Sequence, residues 1–362
     1  MRCTKKSVYS ITLTLCLIIL ITTTQSVIKS SQDAVTICIY TVIPSLLPFI
    51  VITNLLSDHL TNGNLPLLRH IGRFCKIPSG SEPLLLLGFL SGYPIGAKNV
   101  FDTYQRGALS KEDAQRMIAF CNNAGPSFLF GILGGLFSNK LVIPVLWIIH
   151  ILSALLVGRL LPGSCSTIKK EQRHRRPISV TDVILNTVKA LGSICVWIIL
   201  FKVCMDSIMQ QQIIQLPKYI LIMLSGVLEL TNGCISLYTL SSEGQRFVTA
   251  ALFLSFGGLC IVMQTVSVTK GLAGDLYIAG KLLQSFFSLL FAGMLQYVLF
   301  DPGQHWHIPM GLMIIHAIVS AGAFLYLYKK KTVAFLHKMR YNTKKDPVRC
   351  SYVIQEKDSA LL

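Results

Sequence analysis

Seven stretches of this chain, roughly 8 to 28, 34 to 57, 141 to 161, 183 to 209, 247 to 269, 275 to 300 and 309 to 328, stay apolar long enough to cross a bilayer, which takes about 20 residues as a helix. Hydrocarbon offers the backbone no hydrogen-bonding partner, so runs of that length must pair every N–H and C=O internally, as a helix does. Composition agrees: 52% of the residues are hydrophobic and 14% charged, where a soluble domain carries about 25% charged, and mean hydropathy is +0.59. The expected fold class is an all-α polytopic membrane protein. Arg2, Lys5 and Lys6 before the run from Val8 to Ile21 have the layout of a secretory signal, but no small-residue cleavage site follows, so the segment is read as an uncleaved first span.

Three further stretches are apolar but interrupted. Residues 83 to 97 and 219 to 240 are broken by Gly, Pro or Asn, and 118 to 138 opens on an Asn pair and continues through Gly125, Gly131, Gly134 and Gly135. If the first two are re-entrant hairpins and the remaining segments cross, an inside N-terminus fixes every orientation. The N-tail, 58 to 119, 162 to 182, 270 to 282 and the tail from 329 then hold 26 of the 33 Lys and Arg, against Lys29, Lys140, Lys218 and Arg246 outside. That asymmetry is the positive-inside signature, and it accounts for the net charge of +17 without nucleic acid. The two hairpins enter from opposite faces in this topology, which makes the halves inverted repeats. Such repeats place a substrate site near the midplane, where helix breaks face each other.

The first break, Ser91-Gly92-Tyr93-Pro94-Ile95-Gly96-Ala97-Lys98, frees backbone groups at a hairpin tip and sets Ser91, Tyr93 and Lys98 beside it. Lys98 offers a counter-charge to an acidic solute, with snorkelling to the membrane surface as the alternative. In Phe120-Cys121-Asn122-Asn123-Ala124-Gly125-Pro126, paired carboxamides must face protein, water or solute, because an unpaired amide in hydrocarbon costs several kcal/mol, on the order of 4 to 8. Interhelical hydrogen bonding is their other use. In the second half, Glu229 is a carboxylate deep in an apolar stretch, followed by Thr231, Asn232 and Gly233; it suits a cation, a proton or an ion pair with Lys189. Phe256-Gly257-Gly258 with Gln264 holds the position of the Asn pair. Lys202 and Asp206 read as a local pair. The eleven Cys include no C-x-x-C pair, and Cys16, Cys38, Cys195, Cys204 and Cys260 read as small core residues. The eight His show no H-E-x-x-H spacing, and no nucleophile elbow or phosphate loop is present, so no enzyme is expected.

On Gly92 to Lys98, Phe120 to Pro126, Glu229 to Gly233 and Phe256 to Gly258 with Gln264, the chain resembles the sporulation integral membrane protein family of YlbJ type, which carries a nucleoside-transporter gate domain. The resemblance covers roughly 35 to 300. It implies a role in endospore formation in a Firmicute, in the outer forespore membrane, moving dipicolinic acid from mother cell to forespore. The implied fold is similar to concentrative nucleoside transporters.

The expected organisation is a first span (1 to 30), a first repeat (31 to 161, hairpin about 83 to 97), a basic cytoplasmic linker (162 to 182), a second repeat (183 to 300, hairpin about 219 to 240), a last span (301 to 328) and a basic cytoplasmic tail (329 to 362). The expected function is transport of a small anionic solute, with a nucleoside carrier or a non-transporting scaffold for spore-envelope assembly as alternatives. Substrate contacts are expected from Ser91, Gly92, Tyr93, Pro94, Gly96, Lys98, Asn122, Asn123, Gly125, Glu229, Thr231, Asn232 and Gln264. Expected partners are the solute, membrane lipid and a coupling ion, sodium or proton. A homo-oligomer is left open, and no cofactor, metal or nucleic acid is expected.

Overall fold

The structure, a computed structural model, describes residues 2–60, 66–161, 179–210, 216–306 and 313–326. The expected basic linker lies outside these residues but for its last four, and the expected tail lies wholly outside them. Among the described residues there is no β-strand. The chain divides into a unit from Met1 to Pro309 and a second from Met310 to Leu362, of which the apolar helix Met313–Tyr326 is described.

Five elements among the described residues are long and apolar enough to cross a membrane: Thr24–Leu56, Val142–Leu160, Val180–Ser207, Glu243–Val268 and Asp275–Leu299. Seven were expected; the first and last of them appear instead as shorter apolar helices. The first helix, α1 (Arg2–Thr22), ends at Thr23, whose backbone leaves helical geometry. Thr22, Thr23 and Thr24 each turn their hydroxyl back onto a carbonyl one turn earlier, at 2.7 to 3.0 Å. Such back-bonding bends helices. Beyond it, α2 (Thr24–Ile37) runs through one π turn (Cys38–Val42) into α3 (Ile43–Leu60), so the helix continues across residue 30 without a break. The wider turn stands just before Pro44, which has no N–H to continue an α ladder.

The first half continues with α4 (Pro66–Phe74), α5 (Glu82–Leu90), α6 (Ile95–Gln105), α7 (Lys111–Cys121), the single turn α8 (Pro126–Phe128) and α9 (Val142–Leu160). The second holds α10 (Val180–Gln210), α11 (Lys218–Leu228), α12 (Leu230–Ser236), α13 (Glu243–Phe256), α14 (Gly258–Val268) and α15 (Asp275–Leu299). Helix α15 packs against α7, α9 and α13, while α10 packs against α2 and α3.

The two halves repeat one device. Helices α5 and α6 double back around Ser91–Pro94, with Gly88 against Gly96: a Cβ added to Gly96 would lie 3.1 Å from the Gly88 Cα. Helices α11 and α12 double back around Glu229, with Gly226 against Gly233 so closely that a Cβ on Gly233 would overlap the Gly226 backbone. Each glycine pair then packs on the end of the next helix, the first on the Cys121 carbonyl of α7, the second on the Phe253 ring of α13. Both of those helices break immediately afterwards, α7 at Asn122–Gly125 and α13 at Gly257, which adopts a left-handed φ of 83°. Residues 118 to 138 therefore form no continuous span.

These contacts give a pair of opposite expectations. Gly192, in the interior of α10, has nothing within 4 Å of an added Cβ, so Gly192→Ala raises stability by up to about 1 kcal/mol through helix propensity. Gly233→Ala forces two backbones apart and lowers it by about 1–3 kcal/mol. Thermal melting of the detergent-purified variants reads both signs.

Arg116 of α7 is fully buried and holds the base of the first half together. Its Nε donates to the Leu161 carbonyl at 3.1 Å, Nη1 to Lys76 at 2.9 Å, and Nη2 to Gly158 at 2.6 Å and to Cys75. It thus ties the end of α9 and the turn after α4 to α7.

Candidate functional site

Both hairpin tips and both breaks come together. The first tip lies against the first break, where a Cβ on Gly125 would stand 3.0 Å from the Gly92 nitrogen. The second tip lies against the second break, where a Cβ on Gly258 would stand 3.1 Å from the Gly226 carbonyl and 3.3 Å from the Leu230 nitrogen. Tyr93 crosses between them: its hydroxyl donates to the Leu254 carbonyl in the last turn of α13 at 3.1 Å.

A cavity opens where they meet, lined by Ser91, Gly92, Tyr93, Ala124 and Gly125 from the first half and Glu229, Leu230, Thr231, Ile261 and Gln264 from the second, with Val42, Leu46, Ile50, Phe128 and Ile194 as apolar wall. Its water-accessible space is about 40 Å³. A water needs about 10–15 Å³ by that measure, so a few waters fit and an aromatic ring does not.

Behind the first break lies a polar cluster centred on Lys281 of α15, which is 0% exposed. Its ammonium donates to the Asn122 carbonyl at 2.5 Å, Gln284 Oε1 at 2.7 Å, the Tyr93 hydroxyl at 3.0 Å and Asn123 Oδ1 at 3.3 Å. It also lies 4.9 Å from the centre of the Tyr93 ring and 5.9 Å from that of Tyr277. All these acceptors are neutral. The break supplies two of them: the Asn122 carbonyl, which a chain leaving the helix frees from intrahelical pairing, and the Asn123 side-chain oxygen.

The two Asn are fully engaged. Asn122 accepts from the Ala97 N–H at 3.2 Å and donates to the Thr265 hydroxyl at 2.9 Å and the Tyr277 hydroxyl at 3.0 Å, so one side chain joins α6, α14 and α15. Asn123 donates to the Phe120 carbonyl at 2.7 Å and accepts from Lys281 and from Gln284 at 2.9 Å. Neither lines the cavity. Their place in this conformation is the interhelical one.

His150 of α9 extends the cluster. Its Nε2 accepts from the Ala124 N–H at 3.1 Å, which leaves the proton on Nδ1, 3.1 Å from the Ser255 hydroxyl. Ser255, Ser288 and Ser153 follow at 2.5 and 3.0 Å. A chain of hydrogen bonds thus runs from the first break through α9, α13 and α15, and it requires a neutral imidazole.

At the second tip Glu229 is 1% exposed. Its two oxygens accept the N–H groups of Thr231 at 3.0 Å and Asn232 at 2.7 Å, capping α12. The ion pair envisaged with Lys189 is not formed; Lys189 is exposed on α10. Thr231 and Gln264 line the cavity, whereas Asn232 is buried outside it, its Nδ2 without a partner. Lys98 lies outside the cavity and forms an exposed pair with Asp102 at 2.5 Å, and Pro94 and Gly96 shape the turn without lining the space. The Lys202–Asp206 pair forms as expected, at 2.7 Å.

Lys281 corrects the topological count. It stood there among the charges of a cytoplasmic loop, as did Arg116; both are buried inside helices. A sequence signal for Lys281 existed, since Tyr277, Lys281, Gln284 and Ser288 recur at helical spacing along one face of an otherwise apolar segment.

The chain is 24% identical over 340 residues to the sporulation integral membrane protein YlbJ of Bacillus subtilis (strain 168), covering 79% of this chain and 80% of that one. No family model matches the chain. No solved structure matches it either, so the similarity to YlbJ rests on sequence.

Proposed function

We propose that this chain, a membrane protein of the YlbJ-type sporulation family, is a transporter for a small anionic solute, with dipicolinic acid, the cargo implied by the family resemblance, as its substrate in the outer forespore membrane. The observation that carries this reading is the convergence of two hairpin tips and two helix breaks on one cavity beside a buried, unneutralised lysine. Ordinary bundle packing has no use for four interruptions at one place. An intramembrane ionisable group that meets only neutral oxygens is a functional candidate by default.

In this reading the hairpins are re-entrant, enter from opposite faces and belong to inverted repeats. The matched glycine pairs and matched breaks support it. The cavity as it stands has room for only a few waters, so a solute ring enters only when the hairpins separate. Tyr93 is the contact to release: it is bonded at once to Leu254 on α13 and to Lys281 on α15. Opening exposes the Lys281 ammonium, which exchanges neutral acceptors for the carboxylates of an anion.

The test is uptake by proteoliposomes of the purified full-length chain, with dipicolinate and uridine offered separately and protein-free liposomes as blank. Saturable dipicolinate uptake is expected. Uridine uptake without dipicolinate uptake would transfer the assignment to a nucleoside, and uptake of neither by folded protein would leave a scaffold. In sporulating cells, Asn123→Ala is expected to lower spore dipicolinate, because it removes the acceptor shared by Lys281 and Gln284.

A further inference from the structure

Three buried oxygen-bearing residues line the same cavity from separate elements, and two of them, Gln264 and Ser91, keep a side-chain oxygen without a partner. Gln264, 2% exposed on α14, gives its amide nitrogen to Cys260 Sγ at 3.1 Å, while its Oε1 has no partner. Ser91, 4% exposed at the first tip, has an Oγ without a partner. Glu229, at the second tip, receives two backbone N–H groups, and no Lys, Arg or His of the described residues bonds its carboxylate. No Lys, Arg or His lines the cavity, and Lys98, Lys202 and Lys281 are bonded to Asp102, to Asp206 and to neutral oxygens respectively. One wall of the cavity is therefore rich in acceptors and carries a single carboxyl group.

We propose that this wall is a binding site for a sodium-like monovalent cation, held by the Glu229 carboxylate, Gln264 Oε1 and Ser91 Oγ, with water completing its shell. Carboxylate, amide and hydroxyl oxygens are hard ligands and suit a hard cation. One carboxylate matches one positive charge; calcium sites gather more carboxylates, and the described residues hold no group of three or more His, Cys, Asp or Glu. Space for a few waters suits an ion with part of its hydration shell. Because Ser91 belongs to one tip and Glu229 to the other, the ion draws the tips together and favours the closed cavity over the open one. As a coupling ion it rests on the transport reading above; as a bound ion it does not.

The test is equilibrium binding of radioactive sodium to the purified full-length protein in choline buffer, with unlabelled sodium, potassium and calcium as competitors. Saturable binding is expected, displaced by unlabelled sodium. Glu229→Gln, which keeps a capping oxygen but removes the charge, is expected to abolish it. Gln264→Leu and Ser91→Ala, which leave the cap intact, are expected to weaken it by about tenfold, the effect of about one lost ligand. No saturable binding by the wild type overturns the proposal, as does undiminished binding by either Glu229→Gln or Gln264→Leu. Displacement by calcium at lower concentration than by sodium overturns the monovalent assignment. Thermal stabilisation by acid but not by sodium overturns it in favour of a proton on Glu229. Solute uptake without sodium binding sinks this site alone, and sodium binding without any solute uptake sinks the transport reading alone.

Discussion

On the transport reading, Lys281→Met is expected to leave a folded protein whose uptake of an anionic solute falls steeply. Its ammonium serves four acceptors, but two have other bonds: Asn123 Oδ1 still accepts from Gln284, and the Tyr93 hydroxyl still donates to Leu254. The variant therefore orphans the Asn122 carbonyl and Gln284 Oε1, at about 1–3 kcal/mol each. Against that stands the relief of a buried charge, several kcal/mol per ion in effective terms. The two nearly cancel, so the melting temperature moves by only a few degrees. Uptake responds differently. A charged hydrogen bond to the solute contributes about 1.5–3 kcal/mol, and each 1.4 kcal/mol is about tenfold, so uptake falls by about ten- to a hundredfold. Uptake within twofold of wild type would make Lys281 a structural residue and remove the charge complementarity from the account.

Arg116→Met has the opposite profile, a loss of the folded protein itself. The guanidinium satisfies the carbonyls of Cys75, Lys76, Gly158 and Leu161, and methionine satisfies none. At about 1–3 kcal/mol for each carbonyl left buried and unpaired, the loss reaches a large part of the 5–15 kcal/mol, roughly, that holds a typical fold together. The variant is expected to be absent from the monodisperse peak in fluorescence-detected size exclusion. Arg116→Lys is expected to recover it only in part, because an ammonium lacks the planar fork that reaches several carbonyls at once. A normal peak for Arg116→Met would show that these carbonyls find water instead.

The contrast between these two residues shows what could be read from the chain. Apolar length revealed the helices, and Gly, Pro and Asn marked the places where they stop, because in hydrocarbon each interruption needs a specific partner. The breaks at Asn122 and Gly257 and the turns at Ser91 and Glu229 were visible for that reason. Charge was misleading where burial decided. Lys281 and Arg116 carry the same letters as lysines and arginines in loops, and only the partners contributed by distant segments, such as Asn122 for Lys281 and Gly158 for Arg116, make them interior groups. Lys98 erred the other way: it sits beside the glycine turn in sequence, yet the first turns of α6 carry its side chain out to Asp102. The polar face of α15, from Tyr277 through Ser288, was the missed clue, since a stripe of that length has no place against lipid.

The most direct test is the accessibility of the first tip. In a variant with its native cysteines replaced and Ser91→Cys introduced, a membrane-impermeant thiol reagent is applied to one face of the proteoliposome at a time. If opposed tips close one pocket between alternating openings, the thiol reacts from each face in turn, and dipicolinate slows the reaction from both. A thiol reached from one face only, at a rate the solute leaves unchanged, would contradict a shared transport pocket.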